Sequence, residues 1–169
     1  MLLLFNWEKN MLYHMRRKEK EIINNSNLTE ILKTGKYTTI AMCRGNEPYL
    51  VTLSYGYDSS KNALYFHCAN DGLKLDFIKE NPNVCATIIK DKGYKMNECN
   101  HTYSSVILRG KMNIITDISE KKHGFEILLY HLEENPEKLK KNLLKTDESY
   151  VSTSILRLDI HSIQGKEGE

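Results

Sequence analysis

The chain has 169 residues, 40% of them hydrophobic and 27% charged, with a formal net charge of +2 at pH 7. That length suits one domain with a real core and is short for two, and the composition is that of an ordinary globular protein. Lysines and glutamates are interleaved rather than gathered into a basic stripe, so charge makes no case for nucleic acid or membrane binding.

Met1–Phe5 is an apolar run too short for a signal sequence, with no basic segment before it and no small-residue cleavage site after it. No stretch is long enough to span a bilayer. Met11 and Met15 are alternative starts, so residues 1–14 are expected to be an N-terminal extension and 15–169 the folded domain, in the cytoplasm. Lys18–Asn25 reads as a short helix. Asn27, with Glu30 three residues on, has the pattern of a capping box for a second helix ending near Gly35. Tyr37–Arg44 is β-branched and apolar, Gly45-Asn46 turns it into a strand Pro48–Tyr57, and Ala63–Cys68 follows the polar turn Asp58–Asn62. A helix is expected from about Gly72 to Asn81, with Leu75 and Ile78 buried and Leu73 and Phe77 flanking them. Asn83–Lys90 reads as a strand, Asp91–Asn100 as a polar loop, and Thr102–Ile115 as a long strand. An amphipathic helix over Ser119–Glu134 presents Ile118, Phe125, Leu128, Leu129 and Leu132 on one face. Pro136 opens a lysine-rich helix, and Val151–Ile163 alternates as a closing strand. Short strands joined by tight turns, with helices at intervals, predict a mainly β fold with helices (α+β), an antiparallel barrel rather than a doubly wound parallel sheet. An α+β sandwich fits the same pattern.

The four cysteines, Cys43, Cys68, Cys85 and Cys99, are widely spaced without a C-x-x-C, which reads as reduced thiols. Cys99-Asn100-His101 lacks a second ligand pair, so no metal site is expected. The stretch "LYFHCANDGLKLDFIKENPNV" (Leu64–Val84) places Lys74 in the first turn of a helix, where the helix dipole mildly disfavours a cation. A bound phosphate would reverse that preference, because helix-start N–H groups and a close-approach glycine, Gly72, form an anion site. A solvated lysine on an ordinary helix explains the residue equally simply. No Walker or G-x-G-x-x-G pattern points to a nucleoside triphosphate or a dinucleotide. His67 and Cys68 sit at the end of a strand just before the turn, and Ser104-Ser105 open the long strand, where serines suggest a polar rim or a ligand contact.

"PYLVTLSYGYD" (Pro48–Asp58), the Leu64–Val84 stretch and "YSSVILRGK" (Tyr103–Lys111), taken in this order, resemble the pyridoxamine-phosphate-oxidase-like flavin-binding split barrels. The likeness is nearest to the 5-nitroimidazole-resistance (Nim-type) branch, with its "MRRK" start at Met15–Lys18 and its Ile-x-Gly-Lys-Glu ending at Ile163–Glu167. The resemblance implies an antiparallel Greek-key split β-barrel, a homodimer, and FMN at the subunit interface. Residue by residue, it makes Lys74 the lysine that binds the FMN phosphate, with Gly72 in the adjoining turn. It sets the backbone of Tyr49, Leu50, Val51 and Thr52 along the isoalloxazine ring, with His67 and Cys68 following the flavin on the next strand. Ser105 would face the cofactor, with Ser104 beside it. His67 is the implied catalytic residue, a proton donor to a reduced acceptor, since imidazole ordinarily titrates nearest neutrality.

The sequence departs from the oxidases themselves. Leu73 stands where they carry arginine before the phosphate lysine, and the only tryptophan is Trp7, so their C-terminal tryptophan–arginine signature is missing. The expected activity is therefore an FMN-dependent oxidoreductase that passes electrons from a small-molecule donor to a small acceptor, a nitroimidazole or other nitroaromatic compound being one. A non-catalytic flavin carrier or sensor, from a different functional class, has the same sequence features. A barrel that has lost FMN and serves only as an interaction module is disfavoured by the presence of Lys74, His67 and the serine pair.

Overall fold

The computed structural model describes residues 15–168, so the expectation for residues 1–14 lies outside the described residues. Its elements are β1 (Glu21–Ile22), α1 (Asn25–Thr34), β2 (Tyr37–Arg44), β3 (Glu47–Ser54), β4 (Gly56–Asp58), β5 (Ala63–Cys68), α2 (Leu73–Glu80), β6 (Asn83–Lys95), β7 (Asn100–Ile115), α3 (Ile118–Leu132), α4 (Pro136–Leu143), α5 (Asp147–Val151) and β8 (Ser154–Gly168). The strands form one antiparallel sheet in the order β3-β2-β6-β7-β8-β5-β4, with β1 added to β8. β3 and β4 lie at opposite ends of that order, yet only Tyr55 separates them in the chain. The sheet must therefore curl until its edges approach, which is the split-barrel form of an α+β fold. Tyr55 marks the break. It is fully buried, its hydroxyl donates to the Leu32 carbonyl at 2.8 Å and its N–H to that of Lys36.

Period-2 alternation divides the side chains. Ile40, Leu64, Phe66, Ile88, Leu108 and Leu158 fill the barrel interior, closed at one end by Leu75 and Phe77 of α2. The outward-facing Ala63, Tyr65 and Ile155 form a second cluster under Leu128 of α3. Gly124 is needed there, because a Cβ would stand 2.8 Å from both Tyr65 and Ile155. The buried stripe of α3 is Lys121, Gly124 and Leu128, whereas Ile118 and Leu129 are only half-buried. Lys121 is tolerated because its ammonium donates to the Thr153 carbonyl at 3.1 Å. Glu120 pins α3 over β5 and β8. It accepts from Tyr65, from Lys61 at 2.5 Å and from Arg157 at 2.9 Å. Burial would raise its pKa, but these three donors outweigh it and hold the carboxyl at about 2.

Four local expectations are corrected. Lys18–Asn25 is a single 3₁₀ turn followed by β1, because Glu21 and Ile22 pair with Lys166 and Gly165 of β8. The cap of α1 is Asn24, which accepts from the Ser26 N–H at 2.8 Å, so Asn27 lies inside the helix. The expected strand Pro48–Tyr57 is broken into β3 and β4 at the barrel seam. The expected loop Asp91–Asn100 is largely hairpin, with β6 running to Lys95 across a bulge between Asp91 and Tyr94. Both of its faces are exposed, so it carries no hydrophobic alternation to reveal it.

Candidate functional site

α2 forms where an amphipathic octapeptide follows a residue able to turn sharply. Gly72 has φ 124° and ψ 163°, a conformation that side-chain-bearing residues rarely adopt, and the space where its Cβ would sit is open. The Gly72 carbonyl accepts from the Leu75 and Asp76 N–H groups. Glycine has no side chain to cap the helix, and no other described side chain does so. The helix start therefore offers its Leu73 and Lys74 N–H groups to an outside acceptor. At its other end Asn81 donates to the Cys43 carbonyl at 3.0 Å. The fully buried Phe77 stacks against Tyr49, with centroids 5.1 Å apart, and beneath the Arg44 guanidinium at 4.6 Å. Phe77 is thus core rather than flank, while Leu73 is 47% exposed.

Lys74 is half-buried and forms no ion pair among the described residues. Its charge reaches Cys68, whose thiol is pushed up by burial and drawn partly back by the Lys74 ammonium. Cys68 joins Leu64 and Phe66 on the interior face of β5. His67 is exposed and, by alternation, lies on the other face with Ala63 and Tyr65. Cys68, Gly72 and Lys74 therefore gather at one turn, Tyr49 packs on Phe77 further along α2, and His67 is adjacent in the chain but opposite in facing.

The remaining predicted residues lie along the open sheet. Tyr49 and Val51 turn toward the core, whereas Leu50 and Thr52 turn out, Thr52 sharing a 2.9 Å hydrogen bond with Thr39. β3 is an edge strand and so presents a free backbone edge. Ser105 faces outward opposite Ile89, while Ser104 is buried and lines a crevice of about 190 Å³ beside Asn27 and Ile31 of α1. β5 enters the Lys74 turn at Cys68, opposite Ser154, whose neighbour Ile155 lies opposite Ile115 of β7. Ser105 lies ten residues back along β7, roughly 33 Å away at the usual strand rise. One chain does not bring Ser105 to the Lys74 turn. On the same outward face of the sheet as Ser105, however, Tyr37, Leu50, Ile89 and Ile107 are apolar and 40–64% accessible each, on four neighbouring strands. Exposed apolar side chains gathered on one face suit an interaction surface.

Sequence reasoning passed over Asn70, whose side-chain amide donates to Val151 at 3.0 Å and whose carbonyl accepts from Ser154 at 2.9 Å. The only signal for it was a polar residue shortly before a glycine turn. Among the described residues no group of three or more His, Cys, Asp or Glu is placed to hold a metal ion, and no helix is long and apolar enough to cross a membrane.

A family model described as pyridoxamine 5'-phosphate oxidase matches residues 24–167. No curated protein sequence matches the chain. Among solved structures, a candidate 5-nitroimidazole antibiotic resistance protein from Bacteroides thetaiotaomicron superposes with a TM-score of 0.72 at 22% identity, over 88% of this chain and 86% of that one. A flavocytochrome from Azotobacter vinelandii gives 0.77 at 16% identity, over 91% and 72%. An FAD- and heme-binding protein from Mycobacterium smegmatis gives 0.73 at 18% identity, over 89% and 74%. At these identities the superpositions establish the shared fold.

Proposed function

The chain belongs to the pyridoxamine 5'-phosphate oxidase family, and from that premise we propose that it is a cytoplasmic, homodimeric flavoprotein that binds FMN and transfers electrons from a small reduced donor to a small acceptor. One observation carries the reading: a helix start without a side-chain cap behind a positive-φ glycine, with a half-buried lysine that has no acidic partner among the described residues. That donor set fits a phosphate monoester. The N–H groups of Leu73 and Lys74 and the Lys74 ammonium would hold it, and Gly72 leaves room for its approach.

Bound flavin would supply the two-electron redox chemistry. The ribityl chain of such a cofactor separates ring from phosphate, so the residues serving each need not adjoin. Leu50, Thr52 and Ser105 would flank the ring along the open sheet. A second copy covering that apolar face would exclude water and complete the site that one chain leaves divided. His67, exposed at the end of β5, would deliver a proton to the reduced acceptor. The flavoproteins among the structural neighbours and the nitroimidazole-resistance protein support this class of activity, with nitroaromatic compounds as one acceptor. Leu73, where the oxidases carry arginine, argues against oxidation of pyridoxamine phosphate itself. Calorimetric titration with FMN, FAD and riboflavin tests the proposal. FMN should bind with micromolar or better affinity and riboflavin at least about tenfold more weakly. Equal affinities would remove the phosphate site, and tighter binding of FAD would change the cofactor.

A further inference from the structure

Four residues, Ala69 to Gly72, separate the last ladder pair of β5 (Cys68 opposite Ser154) from the first residue of α2. The conformation of this segment decides where the helix start and Lys74 point. Little supports it from outside. Gly72 touches nothing where a side chain would be, and Asp71 is exposed. On the α5 side the turn is not packed either, since a crevice of about 470 Å³ lies there, lined by Asn70, Asp147, Glu148, Val151 and Ser152. Asn70 is the strut across it. Its Nδ2 donates at 3.0 Å to the carbonyl of Val151, the last residue of α5, which has no intrahelical donor. Its Oδ1 accepts at 2.9 Å from the hydroxyl of Ser154, a 7% exposed residue at the start of β8. No other side-chain hydrogen bond reaches this turn among the described residues. Both polar atoms of the one side-chain amide are thus committed to two elements, α5 and β8. Neither element contributes to the phosphate site itself.

We propose that Asn70 is the positioning residue of the phosphate turn: it ties the turn to the end of α5 and the start of β8, and so presets the α2 start for the anion before anything binds. The proposal rests on the phosphate reading of Gly72 and Lys74. The Asn70 amide is taken up by Val151 and Ser154, so its role is to hold the turn rather than to touch the ligand. Preorganisation of this kind improves affinity by removing the ordering cost at the moment of binding.

Asn70→Ala and Ser154→Ala, singly and together, test this in the full chain by two measurements. The first is amide hydrogen exchange without ligand. The Leu75 and Asp76 N–H groups, which bond the Gly72 carbonyl, should exchange roughly tenfold faster in Asn70→Ala, while the β5–β8 ladder keeps its protection. The second is the ratio of FMN to riboflavin affinity, which should fall roughly five- to tenfold in Asn70→Ala and less in Ser154→Ala. The double variant should be no worse than Asn70→Ala, because both single changes cut the same strut. A merely stabilising asparagine would lower the melting temperature and leave both readouts unmoved, and that result would overturn the proposal. Wild-type protein that fails to distinguish FMN from riboflavin would sink the phosphate reading instead. Exchange at the turn would then still decide whether Asn70 sets its conformation.

Discussion

Removing the Lys74 charge by Lys74→Ala separates the phosphate site from the fold. The side chain is half-buried and has no ion pair to lose among the described residues, so the ligand-free protein should change in stability by no more than about 1 kcal/mol. Toward FMN the loss is a charge-assisted hydrogen bond, about 1.5–3 kcal/mol, or roughly 10- to 150-fold in affinity. The helix start remains, and its dipole is worth about 0.3–1 kcal/mol toward an anion. The preference for FMN over riboflavin should therefore shrink sharply without vanishing. Titration calorimetry with both ligands reads this directly. A second readout needs no flavin. The Cys68 thiol is pushed up by burial and partly restored by Lys74, so losing the ammonium should push it higher and slow its alkylation at mildly alkaline pH. Mass spectrometric mapping distinguishes Cys68 from Cys43, Cys85 and Cys99. An unchanged FMN affinity would refute the phosphate assignment, and an unchanged Cys68 rate would refute the placement of the ammonium. Unfolding of the ligand-free variant would make Lys74 structural.

His67→Ala should retain FMN, because phosphate affinity rests on the α2 start, yet slow reduction of a nitroaromatic acceptor by roughly 10²–10⁴-fold in stopped-flow experiments; an unaltered rate would favour a flavin carrier over an enzyme. Burial would raise the Asp58 carboxyl, but Ser60, His123 and the Ser60 and Lys61 N–H groups outweigh it and hold the pKa at about 2. A folded pKa below the unfolded value of about 3.9 gives stability that is present above pH 4 and lost as pH falls toward 2, up to roughly 2 kcal/mol. Asp58→Asn should accordingly be less stable than wild type in denaturant at pH 7, and a gap that did not narrow by pH 3 would contradict this. Gly110→Ala would place a Cβ 1.9 Å from the Asp159 carbonyl oxygen, at the β7–β8 register shift. It should cost at least about 3 kcal/mol in chemical denaturation, and a near-neutral effect would mean that the bulge can open.

Most strands and the two long helices were legible in the sequence because a buried face leaves a period. Tyr37–Arg44 and the α2 octapeptide alternate or repeat against the core, Ala63–Cys68 is a short apolar run buried on both faces, and turn residues bound them. The proposed phosphate turn could be picked out for a different reason: a glycine two residues before a lysine at a helix start is local chemistry, readable without knowing what lies across it. Resemblance supplied Tyr49 to Thr52 and the roles given to His67, Cys68, Ser104 and Ser105. Tertiary structure alone decided whatever depends on a partner distant in the chain. Glu21 and Ile22 are a strand only because Lys166 and Gly165 lie beside them, and the β6–β7 hairpin runs past Lys90 without a buried face to announce it. Lys121 is buried because the carbonyls of Tyr150 and Thr153 await it. Strand pleating turns Ser104 inward and Ser105 outward, and it separates His67 from Cys68 although they are consecutive. Asn70 likewise acquires its place from Val151 and Ser154, more than eighty residues away. Sequence periodicity encodes which side of an element is buried, whereas the identity of what it meets there depends on how the sheet curls and closes.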